Sequence, residues 1–261
     1  MSERLHRRVF LQATAAVLTA MHAPAHHLHA ATAEVNPRLL HLRLQTSKLD
    51  ELRHFYTRKM GLTLSAETKT GFTVQSGSSN MEFTQAAKGV EPFYHFAWNI
   101  PENQFIEAKA WLAHRTPLLI DSITKKDEVH FAAWNAHAVY FRDPAGNIGE
   151  LIARHKLTNS STKPFSEKQL LCISEIGLVT RDAMEWSNTI QKSLQWPKSG
   201  SELSFIGDDL GYLIVAPVGR PWLPDRIQKA AIAPVEVMVD SKLTEPLRWN
   251  NSTYIVSGRR A

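Results

Sequence analysis

The sequence predicts an α+β fold built from paired βαβββ modules, and three observations carry that expectation. A strand, a helix and three short strands follow one another between residues 40 and 85. The same order returns between residues 93 and 153, and its opening returns once more after residue 171. Within each unit the apolar period switches from two, the period of a half-buried strand, to that of a helix with one apolar stripe.

Leu40-His41-Leu42-Arg43-Leu44-Gln45-Thr46 alternates apolar and polar side chains, so the leucines share one face of a strand while His41, Arg43 and Gln45 share the other. Ser47 followed by Asp50 is a capping-box-like start, Leu49, Leu52, Phe55, Tyr56 and Met60 form a helical stripe, and Gly61 ends it. Strands are expected at 62–66, 71–76 and 80–85. Phe93–Ile100 opens the second unit, with Tyr94, Phe96, Trp98 and Ile100 on one face and His95, Ala97 and Asn99 on the other. A helix over 102–113 and strands at 129–133, 136–142 and 148–153 complete it, with Asp143-Pro144-Ala145-Gly146-Asn147 as a turn. The third copy comprises strand 174–180, helix 183–194 and strands 202–207 and 211–216, and strands 234–240 and 254–256 begin a fourth that stays incomplete.

Composition narrows the class further. With 43% hydrophobic and 21% charged residues in 261, the chain is globular, not collagen-like, low-complexity or disordered. The net charge of +5 is modest and no basic patch is interleaved with aromatics, so no nucleic-acid partner is expected. The single cysteine, Cys172, excludes an intrachain disulfide and a Cys-rich zinc site, and it is expected to pack in a strand.

Residues 1–33 read as a signal peptide. Arg7-Arg8-Val9-Phe10-Leu11 opens an Ala-rich apolar stretch too short for a comfortable membrane span, and Ala31-Thr32-Ala33 supplies an A-x-A cleavage pattern. The arginine pair resembles a bacterial twin-arginine signal, which exports folded proteins, so a periplasmic location without a stable membrane span is expected. His26, His27 and His29 fall in the segment to be removed and are discarded as ligands. Residues 34–155 then form a first domain, the polar stretch 156–170 a linker, and 171–261 a shorter, incomplete second domain.

The repeat, the helix ending Phe55-Tyr56…Met60-Gly61-Leu62, and the run Tyr140-Phe141-Arg142-Asp143-Pro144-Ala145-Gly146-Asn147…Glu150-Leu151 together resemble the vicinal oxygen chelate superfamily. That superfamily includes glyoxalases, extradiol ring-cleaving dioxygenases and fosfomycin and bleomycin resistance proteins. The resemblance covers residues 38–155 well and 171–240 in part, and it implies a curled mixed sheet enclosing a divalent metal. It places the metal ligands at His41, His95 and Glu150, with Glu82 as a fourth. Taken singly, His41 also reads as a polar residue on a sheet face, and Glu82 equally as a solvated hairpin carboxylate. Two imidazoles and a carboxylate favour Fe(II), with Mn(II), Zn(II) or Ni(II) as alternatives. Tyr140 stands where ring-cleaving members carry an active-site tyrosine, and His130 and His137 are candidates for proton transfer. Glu175 replaces the corresponding histidine of the third copy, so residues 171–261 are expected to cover the cavity or form a dimer surface without contributing ligands.

The expected function is therefore that of an exported metal-dependent enzyme, most like an extradiol dioxygenase, binding a small molecule through vicinal oxygens. A glyoxalase-like lyase or isomerase and a non-catalytic, resistance-type binding protein are the alternatives. A homodimer is the expected assembly.

Overall fold

The structure, a computed structural model, describes residues 38–251 and 253–259. The expected leader, with its arginine pair and three histidines, lies outside the described residues.

The first module consists of β1 (Leu39–Thr46), α1 (Leu49–His54), β2 (Thr63–Thr68), β3 (Gly71–Ser76) and β4 (Ser79–Gln85). The helical stripe runs to Met60 as expected, but beyond α1 it widens into a π turn, Phe55–Lys59, in which the Met60 amide reaches the Phe55 carbonyl at 2.9 Å. Ser47 does not cap α1; instead the Thr46 hydroxyl accepts the Lys48 amide at 3.0 Å, one residue ahead of the helix. The second module is β5 (His95–Ile100), α2 (Phe105–Ala113), β6 (Val129–Phe131), β7 (Ala136–Arg142) and β8 (Ile148–Arg154). The third is β9 (Cys172–Thr180), α3 (Ala183–Leu194), β10 (Lys198–Ser199), β11 (Ser204–Asp208) and β12 (Gly211–Pro217). A shortened fourth follows, in which β13 (Val235–Val239) leads without a helix to β14 (Leu247–Trp249) and β15 (Tyr254–Gly258).

The modules pair in an order that local periodicity does not reveal. One sheet runs β14-β15-β13-β1-β4-β3-β2 and joins the first module to the fourth. The other runs β10-β11-β12-β9-β5-β8-β7-β6 and joins the second module to the third. Both junctions are antiparallel, β1 against β13 and β5 against β9.

One core lies between the sheets. Leu42, Leu44 and Phe83 from the first sheet and Phe96, Trp98 and Phe141 from the second are all fully buried in it. Tyr56 bridges them, its ring stacked on Phe83 at 5.2 Å and 6.4 Å from Trp98. Burying large aromatics at this junction is the dominant reason the sheets hold together. The core fixes the polarity of the second sheet's central strands: residues that do not face it face the hollow of that curled sheet. In the second sheet that inner face carries Ala97, Ala138, Tyr140, Ile152 and Ile214, covered by Trp222 and Ala230 from the segment after β12. Gly177 permits the cover, because a Cβ there would stand 2.9 Å from the Trp222 ring. Among the described residues no helix is long and apolar enough to cross a membrane.

Candidate metal centre

Three central strands of the second sheet each present one ionisable side chain to its hollow. His95 begins β5, Glu150 sits on β8 opposite Ala97, and Glu175 sits on β9 opposite the same Ala97. Strand parity puts His95 and Ala97 on one face, and the small alanine leaves the centre of that face open. His95 Nε2 lies 3.5 Å from Glu150 Oε2 and 3.6 Å from Glu175 Oε2, and the three side chains are at most 7% exposed. One ligand atom from each falls within 4.8 Å of the others, the only such group of three or more among the described residues.

Neighbouring side chains orient the three. His95 Nδ1 stands 3.3 Å from the Ile148 carbonyl, which can only accept, so Nδ1 is a donor there and Nε2 is the ring nitrogen that faces the carboxylates. The Tyr140 hydroxyl donates to Glu150. The fully buried Arg154 donates from Nη2 to Glu175 Oε1 and from Nε to Asn99 Oδ1 at 3.1 Å, leaving Glu175 Oε2 for the cluster. Burial, reinforced by the charge of Glu175, pushes Glu150 well above the usual carboxylate range. Burial acts in the same direction on Glu175, but the hydrogen bond to His95 and the charge of Arg154 outweigh it and hold this carboxyl below its ordinary value.

An imidazole nitrogen and two carboxylate oxygens converging in one buried space are the donor types that a divalent cation takes. The donor set fits a divalent metal on that ground: one imidazole and two carboxylates suit Fe(II) or Mn(II), and three protein ligands leave positions open for a substrate. Beside the cluster is a cavity of about 60 Å³, walled by Phe131, Trp134, Tyr140, Phe205 and Trp222.

Two of the four expected ligands belong to this group and two do not. His41 and Glu82 lie in the other sheet, where His41 Nε2 meets Glu82 Oε2 at 3.0 Å and Arg43 Nε donates to Glu82 Oε1 at 3.1 Å. The reason is the module pairing, which sets β1 beside β13 and not beside β5. Glu175 takes the place expected of His41, so residues 171–261 do contribute to the cluster. Its signal was visible, because Glu175 occupies on the third copy's opening strand the position that a histidine occupies on the others.

Tyr140 lies on the cavity wall, its ring 6.3 Å from that of His95. His130 and His137 do not reach the cavity. His137 is three residues from Tyr140 along β7, an odd spacing that turns it to the opposite face, where it packs 5.3 Å from Phe105 of α2. His130 is its cross-strand partner on β6, stacked on it at 4.3 Å. Together they form a separate group with His155, whose Nε2 lies 2.8 Å from His137 Nδ1.

No protein-family model and no curated protein matches the chain. Solved structures do. A Bacillus subtilis protein described as a candidate dioxygenase superposes with a TM-score of 0.54 at 12% identity, over 78% of this chain and 70% of its own. Glyoxalase I from Zea mays covers 81% of this chain and 83% of its own at 15% identity, with a TM-score of 0.47. Lactoylglutathione lyase from Agrobacterium tumefaciens covers 43% of this chain and 90% of its own at 19% identity, with a TM-score of 0.35. Two sheets of paired strand–helix–strand modules, one of them curled around a cluster at its centre, give this chain the fold of the vicinal oxygen chelate superfamily.

Proposed function

We propose that the protein is a metal-dependent enzyme that binds a small aromatic substrate through two adjacent oxygens, most like an extradiol ring-cleaving dioxygenase. The observation that carries this reading is the convergence of His95, Glu150 and Glu175 beside a cavity with aromatic walls. A bound divalent cation supplies Lewis acidity, which lowers the pKa of a coordinated hydroxyl and favours an anionic, chelating substrate. The chain's own residues do the rest. His95, fixed by the Ile148 carbonyl, and Glu150 and Glu175, fixed by Tyr140 and Arg154, hold their donor atoms in place before substrate arrives. Trp222 and Tyr140 flank the His95 ring at 4.9 Å and 6.3 Å and shield the reacting face from water. The remaining aromatics suit a flat ring.

One observation favours a second reading, glyoxalase-like isomerisation. Glu150 and Glu175 both line the cavity, so two carboxyl groups stand where they can pass a proton to and from one substrate. The twin-arginine-like leader adds export to either reading, in which case a reporter fused after residue 33 reaches the periplasm and Arg7→Lys/Arg8→Lys abolishes its arrival.

Elemental analysis of the purified protein reconstituted with Fe(II) or Mn(II), followed by oxygen uptake with a panel of catechols, tests the proposal. Stoichiometric metal that is lost in Glu175→Gln, with catechol-dependent oxygen consumption, supports it. Oxygen-independent conversion of a thiol–aldehyde adduct selects the second reading. A protein that retains no metal overturns both, and one that binds metal and catechol without turnover is a binding protein.

A further inference from the structure

After β12 the chain crosses the wall of the cavity, supplying Arg220, Trp222 and Leu223 to it. The basic groups near this crossing are paired. Arg142 Nη2 donates to Asp225 at 2.9 Å, Arg226 Nη1 reaches Asp121 at 3.3 Å, and Arg154 is bound to Glu175. Arg220 differs. Among the described residues its side chain has no carboxylate within ion-pair distance, and its hydrogen bond runs only from Nη1 to the carbonyl of Pro221, the next residue, at 3.1 Å. Burial, joined by the charge of Arg226, lowers its pKa, the direction expected of a half-buried guanidinium without an anion. Holding a cation there is costly unless something negative completes it.

Glu150 and Glu175 line the same cavity, so its wall carries acidic groups at the cluster and a basic one at Arg220. We propose that Arg220 is the recognition residue for an anionic substituent, and that the substrate is a small aromatic molecule bearing a carboxylate or similar anion in addition to its adjacent oxygens. The guanidinium pairs with that anion and points the oxygens toward His95, Glu150 and Glu175. This inference rests on the proposed reading of the cavity as the substrate site, and it names the substrate class for that site.

Binding is read by quenching of tryptophan fluorescence, since Trp134 and Trp222 line the cavity. In the metal-loaded protein, 3,4-dihydroxybenzoate is expected to bind about tenfold more tightly than catechol, the scale of one good charge-assisted pair. Arg220→Gln abolishes the preference while metal content stays at the wild-type value, and Arg220→Lys keeps part of it. Equal affinity for the two ligands in the wild type, or an equal loss of both in Arg220→Gln, overturns the proposal while leaving the metal reading intact. A second arm needs no metal: benzoate against benzamide in the metal-free protein. An Arg220-dependent preference for benzoate in a protein that binds no metal keeps the anion subsite and rejects the metal chemistry. No preference in either arm rejects the subsite.

Discussion

Arg154 decides the electrostatics of the cluster from the same face of β8 as Glu150, four residues further along the strand. Its side chain is fully buried, it binds Glu175 and Asn99, and among the described residues its Nη1 has only Asp209 within ion-pair reach, at 3.7 Å. A buried guanidinium is tolerated because the carboxylates it faces would otherwise be uncompensated, and removing one partner of such a pair leaves the other charge stranded. Arg154→Met is therefore expected to lose about 3–5 kcal/mol in urea unfolding of the metal-free protein, and Mn(II) is expected to recover part of that loss by supplying the missing positive charge. An unchanged midpoint would show that Arg154 is not what balances Glu150 and Glu175. Cys172, on the same strand as Glu175, is fully buried and its thiol is pushed up to about 12, chiefly by burial. A thiol so protonated is a poor nucleophile. Native protein at pH 8 should resist iodoacetamide and become alkylated only on unfolding; rapid labelling of the folded chain would contradict the packing of β9.

The turn between β7 and β8 is the element that sets Glu150 in register, and Asp143 organises it. Asp143 Oδ1 accepts the amides of Ala145 and Asn147 at 2.9 and 3.0 Å, while Oδ2 accepts the Tyr56 hydroxyl and the Asn147 side chain, both at 2.8 Å. Burial outweighs these four donors and raises the carboxyl from 3.8 to about 6. A group whose folded pKa lies above its unfolded value contributes stability that is complete below the unfolded pKa and lost as pH rises through the folded one. Unfolding free energy should thus fall between about pH 4 and 6, by roughly 3 kcal/mol for a shift of this size, and Asp143→Asn should flatten the profile in that window. A wild-type profile with no decline there would refute the assignment. This turn was legible in the sequence from its Asp, Pro, Gly and Asn, as were strands β7 and β12 and helix α3 from their periods. Strand parity likewise placed His95 and Glu150 on an inner face. What local patterns could not supply was the pairing of β5 with β9, a contact between residues nearly eighty apart, about which an alternation of two says nothing. That missing contact is why His41 stood in the expected ligand set and Glu175 did not.

Across the whole molecule the two sheets repeat the same four-residue register, and only one of them leaves its centre open. Ala97 on β5 faces Glu150 and Glu175, with His95 two residues before it. Arg43 on β1 faces Glu82 and Glu236, with His41 two residues before it. The first sheet therefore carries a histidine and two carboxylates in the positions of His95, Glu150 and Glu175, and a guanidinium where the second sheet has a methyl group. Arg43 lies 3.1 Å from Glu82 and 3.6 Å from Glu236, so it serves as the cation of its own group. These side chains are a quarter to a half exposed, and surface ion pairs of that kind contribute little to stability. Arg43→Ala should hence fold normally, within about 1 kcal/mol of the wild type. Its metal content is where the change should register. Removing the guanidinium leaves His41, Glu82 and Glu236 without a positive charge, and a divalent ion can take its place, more weakly than in the buried centre because water competes for it. Calorimetric titration with Mn(II) should give one ion per chain for the wild type, a second and weaker ion for Arg43→Ala, and one again for Arg43→Ala/Glu236→Gln. A titration of Arg43→Ala that still ends at one ion would mean that the shared register does not carry shared chemistry.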